Sequence, residues 1–272
     1  MANTDTVDLV VCGAAGRMGR RIIALAYADP RFRVVGATEA GNSPALGQDA
    51  GTLAGVEALG VEVTAGLGTV ETDGAVCLDF TSAQASLENL QQAADKGLAI
   101  VVGSSGMDEA QRAEARTLAV EMPTLIAANV SRGVAVLSEL VEAAVKMLAG
   151  DFDCEIVELH HNQKKDAPSG TAIALAERAA KAAGGDPART LLLGRQGMVG
   201  ARNAGEIGVV ALRGGDSAGE HTVMLIGNGE RIELTHRATS RDCLALGALS
   251  AAAWLAGTPA GLYSMSDVLT GD

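Results

Sequence analysis

The sequence contains few aromatic residues, few cysteines and no long apolar run. Aromatic residues make up 2% of the 272 residues, so the cores are expected to consist of aliphatic side chains and alanine. Hydrophobic residues at 48% and charged residues at 20% are typical of a globular chain and exclude general disorder. No stretch approaches the roughly 18 apolar residues of a membrane span, and the first residues lack the basic and apolar regions of a secretory signal. We therefore expect a cytoplasmic protein with no membrane partner.

Basic residues are too few for a nucleic-acid partner. The chain carries 21 Lys and Arg against 33 Asp and Glu, which gives a formal net charge of −12. Binding to a phosphate backbone needs a basic patch, and a base-stacking platform needs aromatic residues, and the sequence shows neither. A small anionic ligand remains compatible with this composition, because a local basic pocket can lie in an acidic protein.

The four cysteines do not form a disulfide or metal-binding pattern. Cys12, Cys77, Cys154 and Cys243 are far apart and include no C-x-x-C pair. Each lies in or beside an apolar run, which is typical of a small buried hydrophobic residue in a reducing compartment. The histidines complete no zinc pattern, so we expect no metal.

Strands and helices alternate in the first half of the chain. Short apolar runs rich in β-branched residues predict strands at 7–12, 33–38, 75–80, 98–102 and 124–127. Helical periodicity predicts helices at 17–28, 84–96 and 108–120. The Gly- and Ala-rich segment 41–60 has little periodicity and is predicted to be an irregular loop. This β-α-β alternation predicts an α/β fold with a doubly wound parallel sheet.

The pattern changes after about residue 129. Helices are predicted at 133–148, 171–183 and 243–255, and strands at 152–160, 207–213, 221–226 and 231–236. Strands joined by short glycine-containing turns indicate a mixed or antiparallel sheet, and hence a second, α+β domain that ends near residue 240. The C-terminal segment is expected to pack back on the first domain.

A glycine-rich turn follows the first predicted strand and opens the first helix. Gly13, Gly16 and Gly19 have the spacing G-x-x-G-x-x-G, which allows a tight turn and a close approach to a pyrophosphate at a helix N-terminus. Glu39 ends the second strand 20 residues after Gly19, where a carboxylate accepts hydrogen bonds from ribose hydroxyls. This arrangement predicts dinucleotide binding, and the alternative is a structural turn with a surface glutamate.

A second glycine-rich turn, Gly-Ser-Ser-Gly at 103–106, follows the fourth predicted strand. Ligands of doubly wound sheets lie over the carboxyl ends of the strands, so this turn could line the nicotinamide side of a dinucleotide. It is not a hydrolase nucleophile elbow, because Met107 breaks the G-x-S-x-G pattern. The alternative is a purely structural loop.

Residues 160–172 form the most informative stretch. Two histidines and two lysines lie in a loop that leads into Pro-Ser-Gly-Thr at a helix start. Ser169, Gly170 and Thr171 would offer amide and hydroxyl donors at the positive end of that helix, which suits a carboxylate. A histidine in such a cationic, half-desolvated loop can act as a proton donor. The alternative is an ordinary capped helix beside a solvated basic loop.

These motifs resemble those of the 4-hydroxy-tetrahydrodipicolinate reductase (dihydrodipicolinate reductase) family of bacterial diaminopimelate and lysine biosynthesis. The matching segments span nearly the whole chain in the family's order, and the most specific is 158–171, from Glu-Leu-His-His to Ser-Gly-Thr. The other matching segments are 11–19, 79–81, 103–106, 127–129, 213–216, 219–222 and 235–241.

The resemblance implies NAD(P)H-dependent reduction of a small dicarboxylate, 4-hydroxy-tetrahydrodipicolinate, to tetrahydrodipicolinate with loss of water. It implies a Rossmann-like domain formed by 1–129 and 241–272, and a substrate-binding and tetramerisation domain at 130–240 of a homotetramer. His160 matches the family's proton donor, and Lys164 matches its second catalytic residue, which stabilises charge and holds a carboxylate. The implied substrate-binding residues are His161, Lys164, Ser169, Gly170 and Thr171. The implied cofactor-binding residues are Gly13, Ala14, Ala15, Gly16, Arg17, Met18, Glu39, Gly103, Ser104, Ser105, Ala127, Ala128, Asn129 and Val130.

Three departures from the family pattern concern the cofactor. Ser104 and Ser105 stand where Thr-Thr is common, which keeps both hydroxyls. Val130 replaces the usual phenylalanine and removes a ring near the cofactor. Ala40 stands where many members have an arginine after the ribose-binding acid, so we expect NADH to be used at least as well as NADPH.

Two other functions fit part of the pattern. A different Rossmann dehydrogenase of amino-acid metabolism, such as an aspartate or homoserine dehydrogenase-like protein, would need the His/Lys loop to serve a linear substrate. A non-catalytic dinucleotide-binding sensor would have no use for His160 and Lys164 beside a carboxylate site.

Overall fold

The computed structural model of the protein describes residues 6–104, 106–148 and 150–271. Its internal contacts divide the chain into two units. Unit 1 consists of Met1–Arg132 and Leu244–Asp272, and unit 2 consists of Gly133–Cys243. Unit 1 is therefore formed by two separate segments of the chain, one before and one after unit 2.

Unit 1 contains a seven-stranded parallel sheet with the strand order β12-β6-β5-β4-β1-β2-β3. Its strands are β1 (Val7–Cys12), β2 (Phe32–Glu39), β3 (Val63–Ala65), β4 (Val76–Asp79), β5 (Ala99–Val102), β6 (Pro123–Ile126) and β12 (Gly261–Tyr263). Its helices are α1 (Arg17–Tyr27), α2 (Ala50–Ala54), α3 (Ala83–Lys96), α4 (Glu109–Leu118), α9 (Met265–Thr270) and, from Leu244 onward, α8 (Asp242–Leu255).

The core of unit 1 is aliphatic, as the scarcity of aromatic residues predicts. Leu9, Ile22, Leu78, Ile100 and Leu125 are fully buried. The central strands are buried on both faces, which is the usual state of a parallel sheet covered by helices. The predicted doubly wound sheet is therefore confirmed.

Segment 41–60 is not the uniform irregular loop that the sequence predicts. It contains helix α2, whose N-cap Asp49 accepts hydrogen bonds from the amides of Thr52, Leu59 and Gly60. The periodicity of five helical residues is too short to detect, and the capping carboxylate holds the segment together. The short strands β3 and β12 are missed for the same reason, since each has only three residues.

Unit 2 contains a five-stranded mixed sheet with the strand order β11-β10-β7-β9-β8, which confirms the predicted mixed sheet. Its strands are β7 (Asp153–His160), β8 (Leu191–Leu193), β9 (Ile207–Arg213), β10 (Glu220–Ile226) and β11 (Arg231–Arg237). Its helices are α6 (Gly170–Ala182), α7 (Pro187–Thr190) and, from Gly133 onward, α5 (Arg132–Leu148). Strand β7 pairs with β9 in parallel and with β10 antiparallel.

The connection between β9 and β10 crosses the end of β7. Gly214 donates to the carbonyl of His160 over 3.0 Å, and the amide of His161 donates to the carbonyl of Ser217 over 2.9 Å. The two consecutive strands therefore lie on either side of β7 and do not pair with each other. This crossing encloses the end of β7, where the two adjacent histidines lie.

The two faces of the unit 2 sheet differ. Helices α5 and α6 cover the inner face, where alternate residues such as Ile156, Val209 and Val223 are buried. The register places Val157 and Leu159 of β7 beside Val210 and Leu212 of β9 on the opposite, outer face. Val210 and Leu212 are 38% and 47% exposed, so the outer face presents apolar side chains to the surface.

Cys12, Cys77 and Cys154 are buried, as their apolar surroundings predict, and burial raises the pKa of Cys12 and of Cys154 to about 12. Cys243 is half-buried. Of the helices in the described ranges, none combines the length and the apolarity that a membrane crossing requires.

Candidate active site and dinucleotide site

The turn between β1 and α1 is built on its glycines. Gly13 has a φ of +74°, and its amide and that of Ala14 donate to the carbonyl of Thr38 over 2.9 and 3.1 Å. A Cβ at Gly19 would lie 2.2 Å from the carbonyl oxygen of Gly13, so only glycine lets α1 pack this closely on the turn. The N-cap Gly16 has no side chain to accept from the first amides of α1. These amides can therefore donate hydrogen bonds to a phosphate.

Glu39 is attached to this turn rather than lying free on the surface. Its Oε1 accepts a hydrogen bond from the amide of Ala15 over 2.8 Å. Glu39, Gly13 and Gly16 line a cavity of about 640 Å³ whose other walls include Gly66 and Thr81. The cavity lies at the carboxyl ends of the strands and fits the adenosine half of a dinucleotide.

The other predicted cofactor residues lie at or near the same edge of the sheet. Ser104 and Ala128, which follow β5 and β6, line a second cavity of about 520 Å³. A Cβ at Gly103 would lie 2.1 Å from the ring of Phe80, so this glycine is required by packing whatever its role toward a ligand. Val130 is 1% exposed, and a Cβ at Gly247 would lie 1.9 Å from its carbonyl oxygen, so this predicted cofactor residue is packed in the interior.

The remaining predicted cofactor residues have simple placements. Ala14 is buried, Arg17 is exposed and Met18 is half-buried at the start of α1. The amide of Ala127 donates to the carbonyl of Val102 over 3.0 Å, which continues the ladder between β6 and β5. Asn129 accepts from the amide of Ser131 over 2.9 Å. Ser105 lies outside the described residues.

In unit 2, His160 and Glu158 lie two residues apart on β7 and so point to the same face of the strand. Nδ1 of His160 is 2.5 Å from Oε2 of Glu158, and the two side chains are 12% and 0% exposed. An imidazole this close to a buried carboxylate is held in one orientation.

Two further groups bind the Glu158 carboxylate. Arg213, at the end of β9, donates from Nη1 and Nη2 to its two oxygens over 2.8 and 2.9 Å. The amide of Ser169 donates to Oε1 over 2.9 Å. Burial alone would raise the pKa of Glu158, but the bonds from Arg213, His160 and Ser169 hold it below its usual value.

Ser169 is the buried N-cap of α6. Its hydroxyl accepts from the amide of Ala172 over 3.2 Å and lies 3.1 Å from Nε2 of His221. Burial lowers the pKa of His221 to about 4, and the neighbouring His160 adds to this effect. The neutral His221 ring stands edge-on to His160 with 5.3 Å between ring centroids.

Glu158, His160, Ser169 and His221 form a polar cluster at the end of β7. Lys164 and His161 extend this cluster into the loop that follows. Nζ of Lys164 is 2.8 Å from Asp166, and the lysine side chain is only 20% exposed. This partner lowers the pKa of Asp166. His161 accepts from the amide of Gln163 and lies 3.0 Å from Nη2 of Arg241. The loop between β7 and α6 thus carries the basic side chains of His161 and Lys164, and Arg241 adds a guanidinium beside His161, which suits a carboxylate ligand.

In unit 2 the structure brings the residues that the sequence selects, such as His160 and Ser169, together at the end of β7. In unit 1 it places them on two cavities, with Glu39 and Gly13 on the first and Ser104 and Ala128 on the second. Sequence reasoning did not assign functions to Glu158, Arg213, His221 and Arg241. The i, i+2 spacing of Glu158 and His160 on a predicted strand was the one signal that could have linked an acid to the histidine.

Comparison with known proteins identifies the family of the chain. The family models described as "Dihydrodipicolinate reductase, N-terminus" and "Dihydrodipicolinate reductase, C-terminus" match residues 7–130 and 133–269. The 4-hydroxy-tetrahydrodipicolinate reductase of Anaeromyxobacter dehalogenans is 50% identical over 261 residues, which are 96% of this chain and 97% of that one. The enzyme of the same name from Geobacter metallireducens is 48% identical over 263 residues, which are 97% and 98% of the two chains.

The fold has a solved counterpart. The dipicolinate-bound dihydrodipicolinate reductase from Paenisporosarcina sp. TG-14 superimposes with a TM-score of 0.73 at 20% identity, over 95% of this chain and 97% of that one. The sequence matches favour a reductase over the alternative dehydrogenase and the non-catalytic sensor. The chain is therefore an oxidoreductase that belongs to the dihydrodipicolinate reductase family.

Proposed function

We propose that the protein reduces 4-hydroxy-tetrahydrodipicolinate to tetrahydrodipicolinate with loss of water, as a step of diaminopimelate and lysine biosynthesis. Loss of water from the 4-hydroxy substrate leaves a conjugated ring, and addition of hydride at C4 moves negative charge toward the ring nitrogen and C3. The observation that carries the proposal is the end of β7, where His160 and the N-cap of α6 both bind the buried Glu158, with Lys164 in the loop between them.

A nicotinamide cofactor fits the residues of unit 1. The glycine turn would bind its pyrophosphate and Glu39 its adenosine ribose, while Ser104, Ala128 and the backbone of Asn129 would lie toward the nicotinamide. When bound, NADH or NADPH supplies the hydride. The chain itself supplies binding, orientation and a proton.

His160 is proposed as the proton donor. Its ring is held in place by Glu158 and remains 12% exposed, so a bound substrate can reach it. As a general acid it would protonate the negative charge that hydride addition creates on the substrate ring. His161 beside it would help to hold a substrate carboxylate.

Lys164 and the first turn of α6 are proposed to bind the substrate carboxylates. Lys164 would exchange its contact with Asp166 for a carboxylate and stabilise the charge that develops in the ring. Gly170 and Thr171 would donate from the positive end of α6, with the Ser169 hydroxyl beside them. A Cβ at Gly170 would meet nothing within 4 Å, so this end of the helix is open to a ligand.

The lining of the Glu39 cavity favours NADH. The described lining residues include the acids Glu39 and Glu88, and no lysine or arginine is among them. Ala40 offers no cation to the 2′-phosphate of NADPH, and the charge of Glu39 repels it. We therefore propose that NADH is used at least as well as NADPH.

The outer face of the unit 2 sheet supports the proposal of a homotetramer. Val210 and Leu212 expose apolar side chains that another copy of the chain could cover. Unit 2 would then combine substrate binding with tetramerisation.

The reaction is tested with the product of dihydrodipicolinate synthase, generated in the assay, by following NADH oxidation from its near-ultraviolet absorbance. We expect oxidation that requires both this substrate and the protein. If NADH were oxidised only with a linear aldehyde of amino-acid metabolism, the alternative dehydrogenase would be favoured. If the protein bound NADH but reduced neither substrate, the non-catalytic sensor would be favoured.

A further inference from the structure

The buried carboxylate of Glu158 receives four hydrogen bonds. Oε1 accepts from the Ser169 amide and from Nη2 of Arg213, each over 2.9 Å. Oε2 accepts from Nη1 of Arg213 over 2.8 Å and lies 2.5 Å from Nδ1 of His160. These partners come from β7, β9 and the start of α6, so the position of the carboxylate is fixed from three sides.

The donors around Glu158 determine where the proton of the His160 contact lies. Amide and guanidinium groups can only donate, so both oxygens of Glu158 act as acceptors. The low pKa of Glu158 means that its carboxylate is ionised at neutral pH and has no proton to give. The proton in the contact therefore lies on Nδ1 of His160, and Nε2 is the ring nitrogen that can gain or lose a proton.

We propose that Glu158 is a positioning residue, which holds a proton on Nδ1 of His160 and thereby makes Nε2 the atom that donates to the substrate. The inference rests on the proposed role of His160 as proton donor. The other titratable or charged groups around the ring are Arg213 from β9, His221 from β10 and Lys164 in the following loop. Glu158 is the carboxylate in contact with the ring, whereas Asp166 is paired with Lys164, so Glu158 also stabilises the imidazolium that must be present before the proton is donated.

The position of the proton can be read directly in the wild-type protein. The chain has four histidines, so nitrogen-15 NMR of the full-length protein labelled in histidine is simple, and His160→Ala identifies the His160 signals. In the neutral form of the His160 ring we expect the proton on Nδ1. A neutral ring with its proton on Nε2 would overturn the inference. Since this readout does not depend on catalysis, it separates the inference from the proposed reaction.

Glu158→Gln tests the same inference by kinetics. The glutamine is expected to keep its oxygen toward Ser169 and to turn its NH₂ group toward His160. In the reverse orientation its NH₂ group would face two donors, the Ser169 amide and Nη2 of Arg213. The neutral ring should then carry its proton on Nε2, and Arg213 without a counter-ion disfavours the imidazolium. We expect kcat to fall by roughly 10²-fold or more, with a much smaller change in the KM of the dicarboxylate. The alkaline decline of kcat should begin at a lower pH.

Glu155→Gln is the matched control. Glu155 lies on the same strand and accepts hydrogen bonds from two arginines, Arg195 and Arg202, but it does not contact His160. Glu155→Gln should destabilise the protein as Glu158→Gln does. It should leave the pH profile of kcat and the NMR signals of His160 unchanged. A folded Glu158→Gln protein with wild-type kcat and pH profile would contradict the inference. If this variant does not fold, the wild-type NMR measurement decides.

Discussion

Gly219 lies directly against Nε2 of His160. A Cβ at position 219 would be 2.9 Å from that nitrogen, and the φ of Gly219 is +145°. The connection from β9 to β10 thus passes the nitrogen that is proposed to donate the proton, at a point where no side chain intervenes.

Gly219→Ala is expected to lower kcat much more than stability alone explains, because the methyl group occupies the space beside Nε2. Gly229→Ala is the control: Gly229 also has a positive φ, +88°, but a Cβ there meets nothing within 4 Å. Both changes should destabilise the protein by about 1–3 kcal/mol through backbone strain. Thermal unfolding and steady-state kinetics of the pair separate strain from crowding, and equal kcat values would show that Nε2 does not need this space.

His160→Ala should lower turnover by roughly 10²–10⁴-fold, the usual range for general acid catalysis. NADH binding should stay close to wild type, because the residues proposed to bind it belong to unit 1. Fluorescence titration with NADH and the coupled assay measure the two quantities. Near-normal turnover of the variant would show that another group donates the proton.

Local structure could be predicted from the sequence more completely than tertiary contacts. The run Val7–Cys12 and the glycines after it predict a strand and a ligand-binding turn, because both depend on residues next to each other. The turn after Arg213 shows from the sequence only that two strands follow each other closely along the chain. It does not show that β7 lies between these two strands in the sheet. The contact between Glu158 and Arg213 joins residues 55 positions apart and depends on that same pairing.

Lys164→Ala should be severe and Lys165→Ala mild. The Lys164 side chain is 20% exposed and its ammonium group lies in the cluster, whereas Lys165 is exposed. The two variants remove the same charge from adjacent positions, so kcat/KM for the dicarboxylate distinguishes a positioned donor from the net charge of the loop. Equal losses would favour net charge.

His221 should make stability depend on pH. Its pKa is lowered from 6.5 to about 4 in the folded protein, so the unfolded chain binds the proton more readily. The stability it contributes is complete above the unfolded pKa and is lost as pH falls from 6.5 toward 4. Between about pH 7 and about pH 5 this amounts to about 2 kcal/mol of unfolding free energy. His221→Gln should flatten that part of the denaturation profile, and an unchanged slope would mean that the imidazole is protonated in the folded state.

Ala40→Arg is expected to improve the use of NADPH selectively. Ala40 lines the cavity beside Glu39, and a guanidinium there would offset the repulsion between that carboxylate and the 2′-phosphate. An exposed charge pair contributes about 1 kcal/mol or less, so the change in kcat/KM should be severalfold and should shrink as salt is added. Ala40→Gln, which adds similar length without charge, should leave the cofactor ratio near wild type. The wild type should use NADH at least as well as NADPH. A wild-type preference for NADPH of about tenfold, or about 1.4 kcal/mol, would show that another residue recognises the phosphate.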